Sequence, residues 1–167
     1  MVSSNRKARV PDELGRARAS YGQRAWAEAY QAFCRADRKG RLAAEDLERL
    51  AVVAFLTGRD DAYLTTLERA YDSYLAGGEH LRAVRCAFWL GFRLLMRGEM
   101  GRASGWFGRG ERLLAQAAPD CAERGYLLLP VVEQRLAADD YDAAYALAEE
   151  AARLGESCHD EDLVACA

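Results

Sequence analysis

The residues of this chain that could bind a metal or perform acid–base work are few and scattered. Cys158, His159 and Asp160 stand in a row near the C-terminal end, and all three are metal-ligand types. Consecutive residues on a helix or turn point apart, however, and no second cluster completes a tetrahedral set. The other histidine, His80, follows a Gly77-Gly78 break. The acidic pairs Asp60-Asp61 and Asp139-Asp140 precede helical patterns, where carboxylates cap the orphan N–H groups and meet the positive end of the helix dipole. These patterns predict no catalytic residue, no metal and no cofactor.

Binding chemistry is concentrated elsewhere. Residues 87–107, A-F-W-L-G-F-R-L-L-M-R-G-E-M-G-R-A-S-G-W-F, hold three Phe, two Trp and four Gly. Aromatics at helical spacing fill cores, whereas rings with a polar handle also serve interfaces. The sequence therefore leaves Phe88, Trp89 and Phe92 open between pocket and core.

Composition says what positions them. The 167 residues are 51% hydrophobic and 29% charged with three prolines, and Ala, Leu, Arg and Glu, which lose least on entering a helix, dominate. An all-α chain is expected. A formal charge of −3 does not supply the basic face that phosphate neutralisation requires, so no direct nucleic-acid contact is predicted. The ends differ: residues 1–24 hold six basic residues against two acidic, and residues 139–167 hold nine acidic against Arg153. This reads as two solvated ends of an elongated molecule. Five widely spread cysteines with no C-x-x-C pair argue against a disulfide scaffold and for a reducing, cytoplasmic setting. Met1 to Val10 lacks the apolar stretch of a signal peptide, and no apolar run reaches the roughly 18 residues of a membrane span.

An internal repeat gives the organisation. D-D-Y-D-A-A-Y-A-L-A-E-E-A, residues 139–151, places an aromatic third, a small residue sixth, a packing residue tenth and a small residue thirteenth. The same frame fits from Gly98 (Ala103, Phe107, Gly110), from Arg24 (Trp26, Ala29, Phe33, Ala36) and, more weakly, from Gly58 (Leu67, Ala70). The copies are spaced by 34, 40 and 41 residues. Small residues on one helical face admit a neighbouring helix, so each copy reads as the second helix of a hairpin. The first helices lie upstream: Leu47, Leu50, Ala51 and Ala54 keep the 3.6-residue period over about 44–57, Leu90-Gly91 and Leu94 share a face over about 81–97, and Pro11-Asp12-Glu13 opens the first. Breaks fall at Lys39-Gly40, Gly77-Gly78 and Pro119-Asp120. In G-Y-L-L-L-P-V-V-E-Q-R-L, Pro130 removes a backbone donor and predicts a kinked or broken helix.

This alternation resembles the tetratricopeptide repeat. The third copy carries the likeness best, with Leu90, Gly91, Gly98, Ala103, Phe107 and Gly110; the fourth adds Asp139, Tyr141, Ala144 and Ala151, and the first Trp26, Ala29, Phe33 and Ala36. Tyr63 in place of a small residue, Val131-Val132 in place of Leu-Gly, and two long spacings depart from it. The resemblance covers residues 12–158 and implies an antiparallel helix-hairpin solenoid, a right-handed superhelix of about four repeats. Its hairpins would span 12–39, 42–76, 79–118 and 120–156, after a flexible N-terminus over 1–10. Residues 159–167 look like the start of a fifth hairpin, stopped about two turns in. Because a solenoid normally ends in a polar cap, the expectation is a piece of a longer protein, self-associating through an uncovered apolar face.

The long, Ala/Arg-rich repeats also resemble the helical-repeat regions of large LuxR-type bacterial transcriptional regulators, although neither a G-x-x-x-x-G-K-[ST] loop nor a basic recognition helix is found. In tetratricopeptide arrays the first helices line a concave surface. Carried over, this places Arg85, Phe88, Trp89, Phe92 and Met96 there, flanked by Glu48, Arg49 and Val52 on one side and by Tyr126, Leu129 and Glu133 on the other. The implied function is a non-catalytic scaffold for a peptide, a partner protein or another copy of itself, within such a regulator. The alternative is a small-molecule effector sensor, which would need a closed pocket near Trp89.

Overall fold

The computed structural model describes residues 12–115 and 120–167, and these are all-α. The flexible segment expected over 1–10, the role of Pro11 and the break at Pro119 lie outside the described residues. Nine helices are described: α1 (Glu13–Gly22), α2 (Trp26–Lys39), α3 (Ala44–Leu56), α4 (Asp60–Ala76), α5 (His80–Met96), α6 (Met100–Leu114), α7 (Ala122–Ala137), α8 (Tyr141–Cys158) and α9 (Glu161–Cys166). They form two compact units, one ending at Leu67 and the other beginning at Glu68, inside α4.

One turn recurs between helices and explains their short connections. After α3, the Gly58 N–H donates to the Phe55 carbonyl and the Arg59 N–H to the Ala54 carbonyl, with Gly58 at φ +72°. This pair of bonds satisfies carbonyls that the helix end leaves free, and it requires one left-handed residue. The same two bonds follow α1, α4, α5, α7 and α8, with Arg24, Gly78, Gly98, Asp139 and His159 at positive φ. After α2 the chain instead leaves through Gly40 in extended backbone.

In the first unit, α1 packs on α2 and α2 on α3. Ala29, Phe33 and Ala36 of α2 are buried, as are Leu47, Leu50, Ala51 and Ala54 of α3. Phe33 fills the gap between its flanking alanines and meets the Tyr21 ring edge-on at 6.5 Å. Asp46, 1% exposed, receives Arg18 of α1 through two parallel bonds of 2.9 and 2.6 Å and Arg49 through a third of 2.8 Å. The Arg18 hydrogen bonds, foremost, and those of Arg49 hold the Asp46 carboxyl below its ordinary range against the cost of burial.

In the second unit, α5 packs on α6 and α7 on α8, while α5 also meets α7 and α9 leans on α7 and α8. Close approach depends on absent side chains. A Cβ on Gly91 would lie 2.5 Å from the Phe107 ring, and one on Gly125 would lie 2.6 Å from Leu163. Trp106 is buried edge-on to Tyr71 at 5.1 Å, with Arg109 stacked 4.2 Å from its centre. The break expected at Pro130 does not occur: α7 runs unbroken from Ala122 to Ala137 with Pro130 buried inside it. Proline there forfeits the bond to the Tyr126 carbonyl, but α7, packed against α5, α6, α8 and α9, continues as one helix.

The fourth copy reverses the Gly91/Phe107 pairing, with Val132 and Ala148 in the corresponding positions. Gly91→Val alone should therefore destabilise the second unit by about 1–3 kcal/mol through overpacking. Combined with Phe107→Ala it should cost less than the sum of the two single changes, as read from urea unfolding midpoints in a double-mutant cycle.

Candidate functional site

Helix α5 is apolar around most of its circumference, so its residues divide by direction. Ala83, Val84, Ala87, Phe88, Leu90, Gly91 and Leu94 are buried, whereas Arg85, Trp89 and Phe92 are half-buried. Phe88, 1% exposed, is the hub: Trp89 meets it edge-on at 4.9 Å, Phe92 stacks on it at 5.5 Å and Tyr126 of α7 tilts against it at 5.0 Å. The question left open by the sequence divides residue by residue. Phe88 is core, and Trp89 and Phe92 are its outward edge.

On that edge lies a cleft of about 130 Å³. Trp89 and Phe92 of α5 wall it, with Leu129, Val132 and Glu133 of α7 opposite and Cys166 and Ala167 alongside. The two aromatic planes stand at 90° with centres 6.2 Å apart. Glu133 is exposed at this cleft. Burial, and then Asp162 and Asp160, push the Cys166 thiol above its ordinary range, so it is a poor nucleophile at neutral pH.

Beneath the aromatics, Arg85 lies over the Tyr126 ring at 5.0 Å. It donates to Asp160 in the α8–α9 turn and sits 3.3 Å from Glu123 at the start of α7. Asp160 also accepts the Tyr126 hydroxyl and the Leu163 N–H, each at 3.0 Å, the second capping α9. Burial opposes ionisation of Asp160, yet the Leu163 N–H, the Tyr126 hydroxyl and Arg85 together hold its carboxyl below the ordinary aspartate value. Burial and the bond to Asp160 push the Tyr126 phenol up, so it stays protonated and remains a donor. These contacts tie α5, α7 and α9 together through Asp160, while the buried Arg85 Nε is left without a hydrogen-bond partner among the described residues.

Of the residues selected from sequence, the second unit brings together Arg85, Phe88, Trp89, Phe92, Tyr126 and Glu133. Arg49 lies in the first unit, tied to Asp46 and Glu45. Glu123, Asp160 and Val132 were not selected. In the sequence Asp160 stands out only as one of three metal-ligand types in a row, although its position three residues before Leu163 marks it as a helix cap. Its neighbours have local tasks as well. His159 takes the left-handed cap position with Nδ1 3.2 Å from the Glu156 carbonyl, and Cys158 is a free, exposed thiol. Among the described residues no three His, Cys, Asp or Glu side chains are grouped to hold a metal, and no helix is long and apolar enough to cross a membrane. Compared with known proteins, the chain matches no family model and no curated sequence.

Because the Asp160 pKa is depressed in the fold, its contribution to stability is present above the unfolded value and is lost as pH falls through the folded one. Urea midpoints should therefore drop as pH is lowered from about 5 to about 3. Asp160→Asn should be the less stable protein at neutral pH and should show a shallower acid dependence than the parent.

Proposed function

We propose that the chain is a non-catalytic scaffold built on tetratricopeptide-like hairpins, an antiparallel helical solenoid whose α5–α7 face receives a peptide or protein partner. The observation that carries this reading is the cleft: an aromatic wall on one helix, an apolar and acidic wall on the next, and a volume of about 130 Å³. Small-molecule sites usually enclose roughly 300–1,000 Å³, which favours a side chain from a partner over a whole effector molecule. Half-buried aromatics beside an apolar cleft are also of the residue types from which binding hot spots are made. The use of Asp160 to join Arg85, the Tyr126 hydroxyl and the Leu163 N–H supports a positioning role for these residues, since an acid–base pair needs a group left to exchange its proton with a substrate. The resemblance of the repeats to those of LuxR-type regulators is what supports reading the scaffold as part of a bacterial signalling or transcriptional protein.

Peptides selected by display on the whole chain should perturb amide resonances of α5 and α7. Trp89→Ala should weaken them by about tenfold or more while the helical circular dichroism is retained. Undisturbed peptide affinity in that variant would remove Trp89 from the interface. A metabolite that saturates the cleft and raises the melting temperature would favour the effector-sensing alternative instead.

A further inference from the structure

We infer that the cleft between Trp89, Phe92 and Glu133 takes the ammonium group of a lysine side chain, an assignment that rests on the partner-binding reading. The molecule already uses this chemistry one layer below. There, Arg85 sits over the Tyr126 ring at 5.0 Å with Glu123 and Asp160 as counter-charges, so a cation is held by an aromatic face and carboxylates together. The cleft above repeats the aromatic and carboxylate parts without the cation. Trp89, the strongest cation-binding ring, and Phe92 stand perpendicular, and Glu133 is at the same cleft. Among the described residues no cation is paired with Glu133.

Shape selects among cations. Two walls at 90° around about 130 Å³ suit a compact, roughly spherical head on an apolar stem, with Leu129 and Val132 beside the stem. A guanidinium is a planar fork suited to stacking flat on one ring, as Arg85 does on Tyr126, and a pair of perpendicular walls leaves such a plane less room than a compact ammonium. Charge agrees with shape: residues 139–167, in the same unit, carry nine acids against Arg153. Their field favours the approach of a positive group within a Debye length.

The test uses the whole chain and two small probes, Nα-acetyl-lysine methylamide and its uncharged norleucine counterpart, with the Trp89 indole N–H resonance, assigned through Trp89→Phe, as readout. The lysine probe should shift that resonance saturably, and the norleucine probe should bind about tenfold more weakly. Glu133→Gln, an exposed change that leaves the melting temperature unaltered, should weaken the lysine probe several-fold and leave norleucine unchanged. Equal binding of the two probes, no saturable shift with lysine, or indifference to Glu133→Gln would each overturn the assignment. The two readings fail separately. Selected peptides that bind α5 and α7 equally well after every lysine is replaced by norleucine would overturn the lysine assignment and leave the partner reading standing. Saturable lysine capture by a chain on which no peptide can be selected would support the cleft chemistry and overturn the partner reading.

Discussion

The second unit depends on one cation and the carboxylates that answer it. Arg85 is part of a largely apolar helix, and a guanidinium placed there costs several kcal/mol unless it is paired and hydrogen-bonded. The pairing comes from Glu123 at the start of α7 and from Asp160, 75 positions away in sequence. Asp160 in turn orients the Tyr126 hydroxyl and caps α9, so one carboxylate sets three elements at once. Tyr126 packs on Phe88 and stands 6.0 Å from Trp89. The direction in which the aromatic set faces is therefore fixed from below.

The first unit uses the same device with different residues. Asp46 is nearly inaccessible and bridges Arg18 of α1 to Arg49 of its own helix. Apolar residues of similar volume could often replace such groups without loss of stability. What an ion pair adds is discrimination, because a helix shifted by one turn would leave a buried charge without a partner. Helices packed through alanine and glycine are prone to that shift. The turns supply the complementary constraint: each left-handed cap stops a helix at one residue, and only then can Gly91 meet Phe107 and Gly125 meet Leu163.

Local features of the fold were legible in the sequence, and features joined across it were not. The period of Leu47, Leu50, Ala51 and Ala54 gave the buried face of α3, and the turn residues Gly58, Gly98 and Asp139 stand where the left-handed caps are. Each of these signals lies within one helix or one turn. At Pro130 the expected break is absent: the local cost is real, yet α7 continues through it, packed on four other helices. The link from Arg85 to Asp160 could not be read at all, since nothing in either local pattern names the other residue. At the aromatic cluster, spacing put Phe88, Trp89 and Phe92 on one helix, as they are, but could not say which ring faces inward, because on a helix hydrophobic on most sides adjacent residues differ by only about 100°.

That ambiguity is resolved by Phe88. Phe88 is sealed against Tyr126 and stacked by Phe92, and Trp89 packs on the same cluster from outside while staying half-buried. A half-buried indole is a liability when it only meets water, since exposed apolar surface promotes non-specific association. Leucine at this position would cover the same edge of Phe88 with less exposed ring. Trp89 instead stands at a right angle to Phe92 and shares its cleft with a carboxylate, so what lies open between α5 and α7 is lined by large rings and a negative charge, the elements of a cation–π contact.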